Sequence, residues 1–383
     1  MSFRIQTDQN LDLLRTNFLQ ATVDLSAPDP PIPNPVELDI LVDNFIPART
    51  ADQTTISSST YSFLSGSAKW AGAVLAENGK LYFVPSSATS VLVVDPLTNV
   101  ASQITGVPSG TAKWCGGVLA PNGLIYCIPR NSSEVLVIDP IEGTVNTKLF
   151  TTLSSAADKW VGGVLGQDGK IYCIPFDSAQ VLVIDPSYNS VSYISVTGVS
   201  GSGKWAGGVL SERGLIYCIP FDSESVMIID PVARTVDTTT ITLSPTISEK
   251  WFSGALGQDG NIYAAPYSST TVLIINPKTN TANVSLITGL SATAGKWCGG
   301  VLGIDGKIYF IPNESTTSLV VDTDTGSTST FSGFPGADYC IGGVLSASGT
   351  IYGAPSSGSS VPIIKTNLPI FPSWMFAPEF NKL

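Results

Sequence analysis

The phrase Lys-Trp-x-Gly-Gly-Val-Leu recurs through most of the chain. Its tryptophans fall at Trp70, Trp114, Trp160, Trp205, Trp251 and Trp297, a spacing of 44 to 46 residues. A seventh, degraded copy follows as Tyr339-Cys340-Ile341-Gly342-Gly343-Val344-Leu345. A period near 45 with strand-like content is the mark of radial β repetition. The expected fold is all-β: a seven-bladed β-propeller spanning residues 51–365, closed by an N-terminal strand. A chain of 383 residues would otherwise suggest two or three domains, but seven units of one period make a single closed body.

The third copy shows how one unit is built. Lys159-Trp160-Val161-Gly162-Gly163-Val164-Leu165 reads as an innermost strand, where blades converge and little side-chain volume fits. Gln167-Asp168-Gly169 is an Asp-Gly hairpin turn. A second strand, Lys170 to Pro175, carries a Tyr repeated in every copy and ends in a Pro, which removes a ladder donor. Val181-Leu182-Val183-Ile184-Asp185-Pro186 is a continuous apolar run, as a strand covered on both faces requires. Ser190 to Ser195 alternates, as an outer edge should. The last copy has only three strands, so residues 53–59, just ahead of the first Lys-Trp, are expected to supply its fourth and remove two exposed edges.

Two recurring polar residues invite a joint reading. Lys69, Lys113, Lys159, Lys204, Lys250 and Lys296 precede the tryptophans, and Asp95, Asp139, Asp185, Asp230 and Asp322 (Asn276 in the fifth copy) end the third strands. The seventh copy changes both positions, to Tyr339 and Lys365, which suggests that Lys and Asp interact, as a structural ion pair or loop hydrogen bond between neighbouring blades. The alternative is a ring of lysines lining a ligand channel. The recurrent Trp and Tyr read as blade-to-blade packing that also needs a hydrogen-bond partner, with a carbohydrate-stacking surface as the alternative. A binding site usually breaks such symmetry.

Composition excludes several functions. A net charge of −11 with no basic cluster argues against phosphate-directed nucleic-acid binding. The chain has no His, which removes the commonest general base and metal ligand and any Ser-His or Cys-His constellation. Cys127, Cys173 and Cys218 share one repeat position and Cys115 and Cys298 another, too far apart around a ring to bridge; they read as small buried apolar groups. Asp322-Thr323-Asp324-Thr325-Gly326 resembles the start of a calcium loop but lacks the distant Glu, and reads as a solvated turn. Asp177 and Asp222 read as rim residues. No metal, cofactor or catalytic residue is expected. No apolar run is long enough for a membrane span, and the first residues lack a signal peptide's apolar core, so synthesis in a reducing cytoplasm is expected.

The flanks do not repeat. In residues 1–50, Asp8 can cap a short helix carrying Leu11, Leu14 and Phe18, followed by a Pro-rich extended stretch from Pro28 to Pro35. Residues 366–383 hold Phe371, Trp374, Phe376 and Phe380 among prolines that forbid a helix. An attachment arm and an aromatic tail are what an assembly component carries.

The whole repeat, Lys-Trp-x-Gly-Gly-Val-Leu-x-x-x-Gly-x-Ile-Tyr-x-Ile-Pro followed by Val-Leu-Val-Ile-Asp-Pro, resembles propeller repeats of tailed-bacteriophage virion proteins. Similar repeats occur in giant-virus, bacterial and protist proteins. The resemblance covers about residues 53–365, and the ending Ala377-Pro378-Glu379-Phe380-Asn381-Lys382-Leu383 is similar to the ends of such phage proteins. It implies a non-enzymatic virion structural protein: tail, baseplate, fibre or capsid decoration. It implies as partners other virion proteins through arm and tail, a host-surface glycan on the propeller, and several symmetric copies. No functional residue set transfers with it. Two other readings stay open: a cytoplasmic interaction module that uses the propeller mouth, and a lyase or hydrolase acting at the central channel.

Overall fold

The computed structural model describes residues 55–366, apart from 62, 63, 65, 151–152, 244–246 and 335–339. Tyr339, the arm with Leu11, Leu14 and Phe18, and the tail with Phe371, Trp374, Phe376 and Phe380 therefore lie outside the described residues.

Seven four-stranded antiparallel sheets account for every strand of the described residues. The inner strands are Trp70–Leu75, Trp114–Leu119, Trp160–Leu165, Trp205–Leu210, Trp251–Leu256, Trp297–Leu302 and Cys340–Leu345, which head blades 1 to 7 in order. Blade 3 continues through Ile171–Pro175 and Gln180–Asp185 to an outer strand, Ser190–Ser195. Blade 7 is the exception that closes the ring. Its outer strand is Thr55–Thr60, antiparallel to Ser360–Lys365 with Thr55 opposite Lys365 and Thr60 opposite Ser360. The sequence placed this strand within a residue or two.

The core lies between blades. Seven apolar clusters each join adjacent blades, and each contains the second- and third-strand residues of both. In blade 3, Tyr172, Ile174, Val181 and Val183 face blade 4, while Ile171, Cys173, Leu182 and Ile184 face blade 2. The unbroken apolar runs are thus alternating side chains that find a neighbour on either side. Each Trp packs on the preceding blade, and its indole N–H donates to a carbonyl twenty residues on, as Trp160 does to Gln180 at 2.8 Å. The six Trp are at most 4% exposed, so they offer no carbohydrate-stacking surface. Cys340 fills the Trp slot of blade 7. All six cysteines are free and buried.

The strand register fixes which repeat residues can meet. Trp160 pairs with Pro175 at one end of the inner hairpin, and Leu165 pairs with Ile171 at the other. Ile171 in turn faces Ile184, which puts Asp185 at the Leu165 end. Lys159 and Asp185 therefore stand on opposite faces of the ring, about 15 Å apart at ~3.3 Å per residue. The same register holds in the other complete copies, so the expected Lys–Asp pairing is wrong: two strands that follow one intervening strand run in the same direction, and residues at their opposite ends cannot touch. These sides are termed here the lysine face and the aspartate face.

Candidate functional site: the mouth on the lysine face

Each repeated Lys is a clamp. Lys159 Nζ donates to the carbonyls of Arg130 (3.0 Å) and Ser132 (3.1 Å) in blade 2 and of Ala156 (2.8 Å) in its own entry loop. Lys113 reaches Ala88 and Gly110, Lys204 reaches Phe176 and Gly201, and Lys296 reaches Tyr267 and Thr293. Lys69 reaches Gly66 and Gly358, and Lys250 reaches Ile247. An ammonium has three donors and no acceptor, so a cage of carbonyls suits it. The lysines are 1–5% exposed and do not line a channel. Burial pushes Lys113, Lys159 and Lys296 down to about 8. Main-chain bonds reinforce the clamp: Lys159 N–H donates to Arg130 O, and the equivalent bond recurs at Lys204 and Lys250.

The Asp residues organise turns on the other face. Asp95, Asp139, Asp230 and Asp322 each accept two turn amides two and three residues on, and Asp185 accepts that of Ser187. Asp185 also has Lys170 Nζ at 3.4 Å. The Asp322 amide bonds, to Asp324 and Thr325, are those of a turn. The repeated Tyr closes this face between blades: Tyr82 O–H donates to Pro140 O at 3.1 Å and Tyr172 O–H to Pro231 O at 3.3 Å.

Around the axis, backbone meets backbone. The first position of the repeated pair has positive φ in every blade, as Gly in six and as Ser253 (φ 57°) in the fifth. A Cβ on Gly72, Gly116 or Gly162 would lie 2.9–3.0 Å from the Cα of the corresponding Gly of the next blade. The second Gly lies under the second strand of the preceding blade: a Cβ on Gly163 would lie 2.5 Å from Ile128 Cδ1. Blade 1 tolerates Ala73 at that position, where the residue overhead is Ala354 rather than Ile. The ring encloses an axial cavity of about 160 Å³, lined by these glycines with Cys115, Val161, Phe252 and Ile341.

Symmetry breaks at one end of that axis. The residue after the second-strand Pro reads Ser86, Arg130, Phe176, Phe221, Tyr267, Asn313 and Ser356 around the ring. On the lysine face this makes an aromatic group over blades 3 to 5, joined by Phe252 from the fifth inner strand. Ring centroids lie 5.5 Å apart for Phe176–Phe221 and Phe221–Tyr267, and 5.9 Å for Phe221–Phe252 and Phe252–Tyr267. Phe221 is buried at the centre, and the other three rings are half-buried. Arg130 extends the row, over the ring of Phe176 at 5.9 Å and bonded to Asp158 at 2.5 Å. Asn313 Nδ2 lies 3.5 Å from the Tyr267 oxygen. Asp177 and Asp222, expected at the rim, are there: Oδ1 of each accepts an amide of the next blade, from Gly203 at 2.7 Å and Glu249 at 2.6 Å. Ser268, in the equivalent position of blade 5, has a buried Oγ with no hydrogen-bond partner. Burial, then neighbouring Cys298, Glu249 and Glu314, pushes the Tyr267 hydroxyl up to about 12.

The sequence reading did not single out Phe176, Phe221, Phe252, Tyr267 or Arg130. The signal was present, because one column of an otherwise uniform repeat varies from Ser to Arg to Phe. Among the described residues no group of three or more His, Cys, Asp or Glu could hold a metal ion, and no helix is long and apolar enough to cross a membrane.

No protein-family model matches the sequence, and comparison with curated proteins found no match. Solved structures match the fold. A streptogramin B lyase superposes with a TM-score of 0.69 at 13% identity, covering 82% of this chain and 98% of that one. A virginiamycin B lyase from Staphylococcus aureus gives 0.69 at 11% identity, covering 82% and 100%. The extracellular domain of a putative one-component system from B. thetaiotaomicron gives 0.61 at 9% identity, covering 83% and 44%. The chain is a seven-bladed β-propeller. Identities this low carry the fold and nothing finer.

Proposed function

We propose that this propeller is a non-enzymatic structural protein of a tailed-bacteriophage virion, a tail, baseplate, fibre or capsid-decoration component, that presents its lysine face as a contact surface. The observation that carries the reading is a polarity. Thr55 opens the outer strand of blade 7 opposite Lys365, so the described body begins and ends side by side on the aspartate face. The aromatic group sits on the other face. Both ends of the described body thus lie on the side away from its large departure from symmetry. The aspartate face also exposes an apolar residue in the outer turn of four successive blades: Leu97, Ile141, Tyr188 and Val232. A protein partner seated on this face would cover them. The resemblance of the repeat to phage virion propellers gives that partner a class.

The repeated Lys, Trp, Tyr and Gly are all engaged in joining blades, which suits a rigid display body. A lyase reading fits less well. A variant of the virginiamycin B lyase with one histidine replaced by alanine is described as catalytically inactive, and this chain contains no histidine. The test is fractionation of the virus-producing culture. The protein is expected to co-sediment with intact particles in gradients, at a copy number that is a multiple of the particle's local symmetry. Recovery only in the soluble fraction would overturn the reading.

A further inference from the structure

We propose that the aromatic group at the lysine-face mouth binds a basic side chain, arginine or lysine, presented by a partner protein. The inference rests on the reading of this face as the contact surface and supplies the chemistry of what it contacts.

Three half-buried rings, Phe176, Phe252 and Tyr267, surround a buried fourth, Phe221. A ring face attracts a cation placed within about 6 Å, and partial desolvation strengthens the attraction. The protein already makes this contact once here, with Arg130 over Phe176.

Charge decides between a cation and a neutral ligand. Glu249, Glu314 and Asp177 are exposed around the rings, and Asp222 is half-exposed. Asp177 and Asp222 use Oδ1 for backbone amides, and among the described residues their Oδ2 makes no bond to another side chain. The cations of the same face are engaged: the lysines are buried in carbonyl cages, and Arg130 is bonded to Asp158. Solvent thus meets aromatic carbon bordered by carboxylates. Such a border draws in an organic cation and repels anions. On the opposite side of the axis, Ser86, Ser356 and Ala71 are small and buried, so the rings and carboxylates lie to one side of it.

The test uses full-length protein with ¹³C-labelled aromatic rings. It compares the peptide acetyl-Gly-Arg-Gly-amide with the same peptide carrying citrulline, which keeps the shape and lacks the charge. The arginine peptide is expected to shift the Phe176, Phe252 and Tyr267 signals saturably, and the citrulline peptide to bind about tenfold more weakly. Phe176→Leu and Tyr267→Leu keep apolar bulk and should each weaken binding severalfold at an unchanged melting temperature. The double variant Glu249→Gln, Glu314→Gln, both exposed, should weaken it and flatten its salt dependence. Equal binding of the citrulline peptide would overturn the proposal. So would no saturable shift with arginine, or a neutral oligosaccharide such as maltotriose moving the same rings while the arginine peptide does not. Particle co-sedimentation tests the virion role independently, so either reading can fail alone.

Discussion

A buried lysine bonded to carbonyls stands at six of the seven blade joints, and at five of them its side chain reaches the preceding blade. Replacing Lys159 by Ala leaves the carbonyls of Arg130, Ser132 and Ala156 without their donor, and hydrogen bonds to charged groups are worth about 1.5–3 kcal/mol each before compensation by water. Lys159→Ala is expected to lower stability by about 2–4 kcal/mol, read from urea denaturation; an unchanged midpoint would contradict the clamp. The same lysines set a pH dependence. Lys113, Lys159 and Lys296 titrate at about 8 in the fold against 10.5 when free. Between those values the unfolded chain binds more protons than the folded one, so stability rises with pH across that window. Tyr172 and Tyr263 act oppositely. Burial raises them above their ordinary 10.0, so above pH 10 the unfolded chain sheds protons that the folded one keeps, and stability falls. The buried thiols of Cys115, Cys127, Cys173, Cys218 and Cys298, raised by burial above their ordinary 9.0, add to that loss from about pH 9, so the melting temperature should peak at about pH 9. A monotonic decline from pH 8 upward would refute this assignment. Glycine gives a third residue-scale test. Gly162 and Gly169 have nearly the same φ, 78° and 77°, but an added Cβ at Gly162 would meet Gly207 Cα at 2.9 Å, whereas at Gly169 it meets nothing within 4 Å. Gly169→Ala should cost about 1–2 kcal/mol from backbone conformation alone, and Gly162→Ala clearly more. Equal costs would mean that the blades do not touch at the axis.

At the scale of strands and blades, most of the fold was legible. Repeat period, Gly pair, terminal Pro and continuous apolar runs each follow from a local constraint, so composition at a position reports its surroundings. At one joint the smaller Ala354 overhead leaves room for the methyl of Ala73, whereas at Gly300, beside Ala265, Phe310 fills that room. The Lys–Asp pairing failed because shared loss in one copy was read as contact. Counting strands would have placed the two on opposite faces. The aromatic mouth was missed for a related reason. A site on a symmetric scaffold appears in the column that does not repeat, and the repeat itself carries only the joints between blades. Closure of blade 7 by Thr55–Thr60 makes its own prediction. Removing residues 1–60 should leave the Ser360–Lys365 strand as an open edge and yield aggregated or low-melting protein, while removing residues 1–50 should leave the melting temperature within a few degrees. Identical behaviour of the two truncations in a melting series would argue against the closing strand.

The described residues form a ring with two unlike faces. They begin and end on the aspartate face, which also exposes Leu97, Ile141, Tyr188 and Val232, and the aromatic mouth opens on the lysine face. Rigidity follows from the construction: backbone approach at the axis, seven apolar interfaces, and lysine and tyrosine bonds across several joints. That rigidity makes the orientation of the protein on a particle measurable. The six native cysteines are free but buried, so maleimide should react chiefly at an introduced site. Single-cysteine additions Glu314→Cys on the lysine face and Val232→Cys on the aspartate face should both label in the free protein. On intact particles, labelling should persist at position 314 and be suppressed at position 232. Equal labelling of both positions on particles, or protection of 314 with 232 exposed, would contradict the proposed polarity.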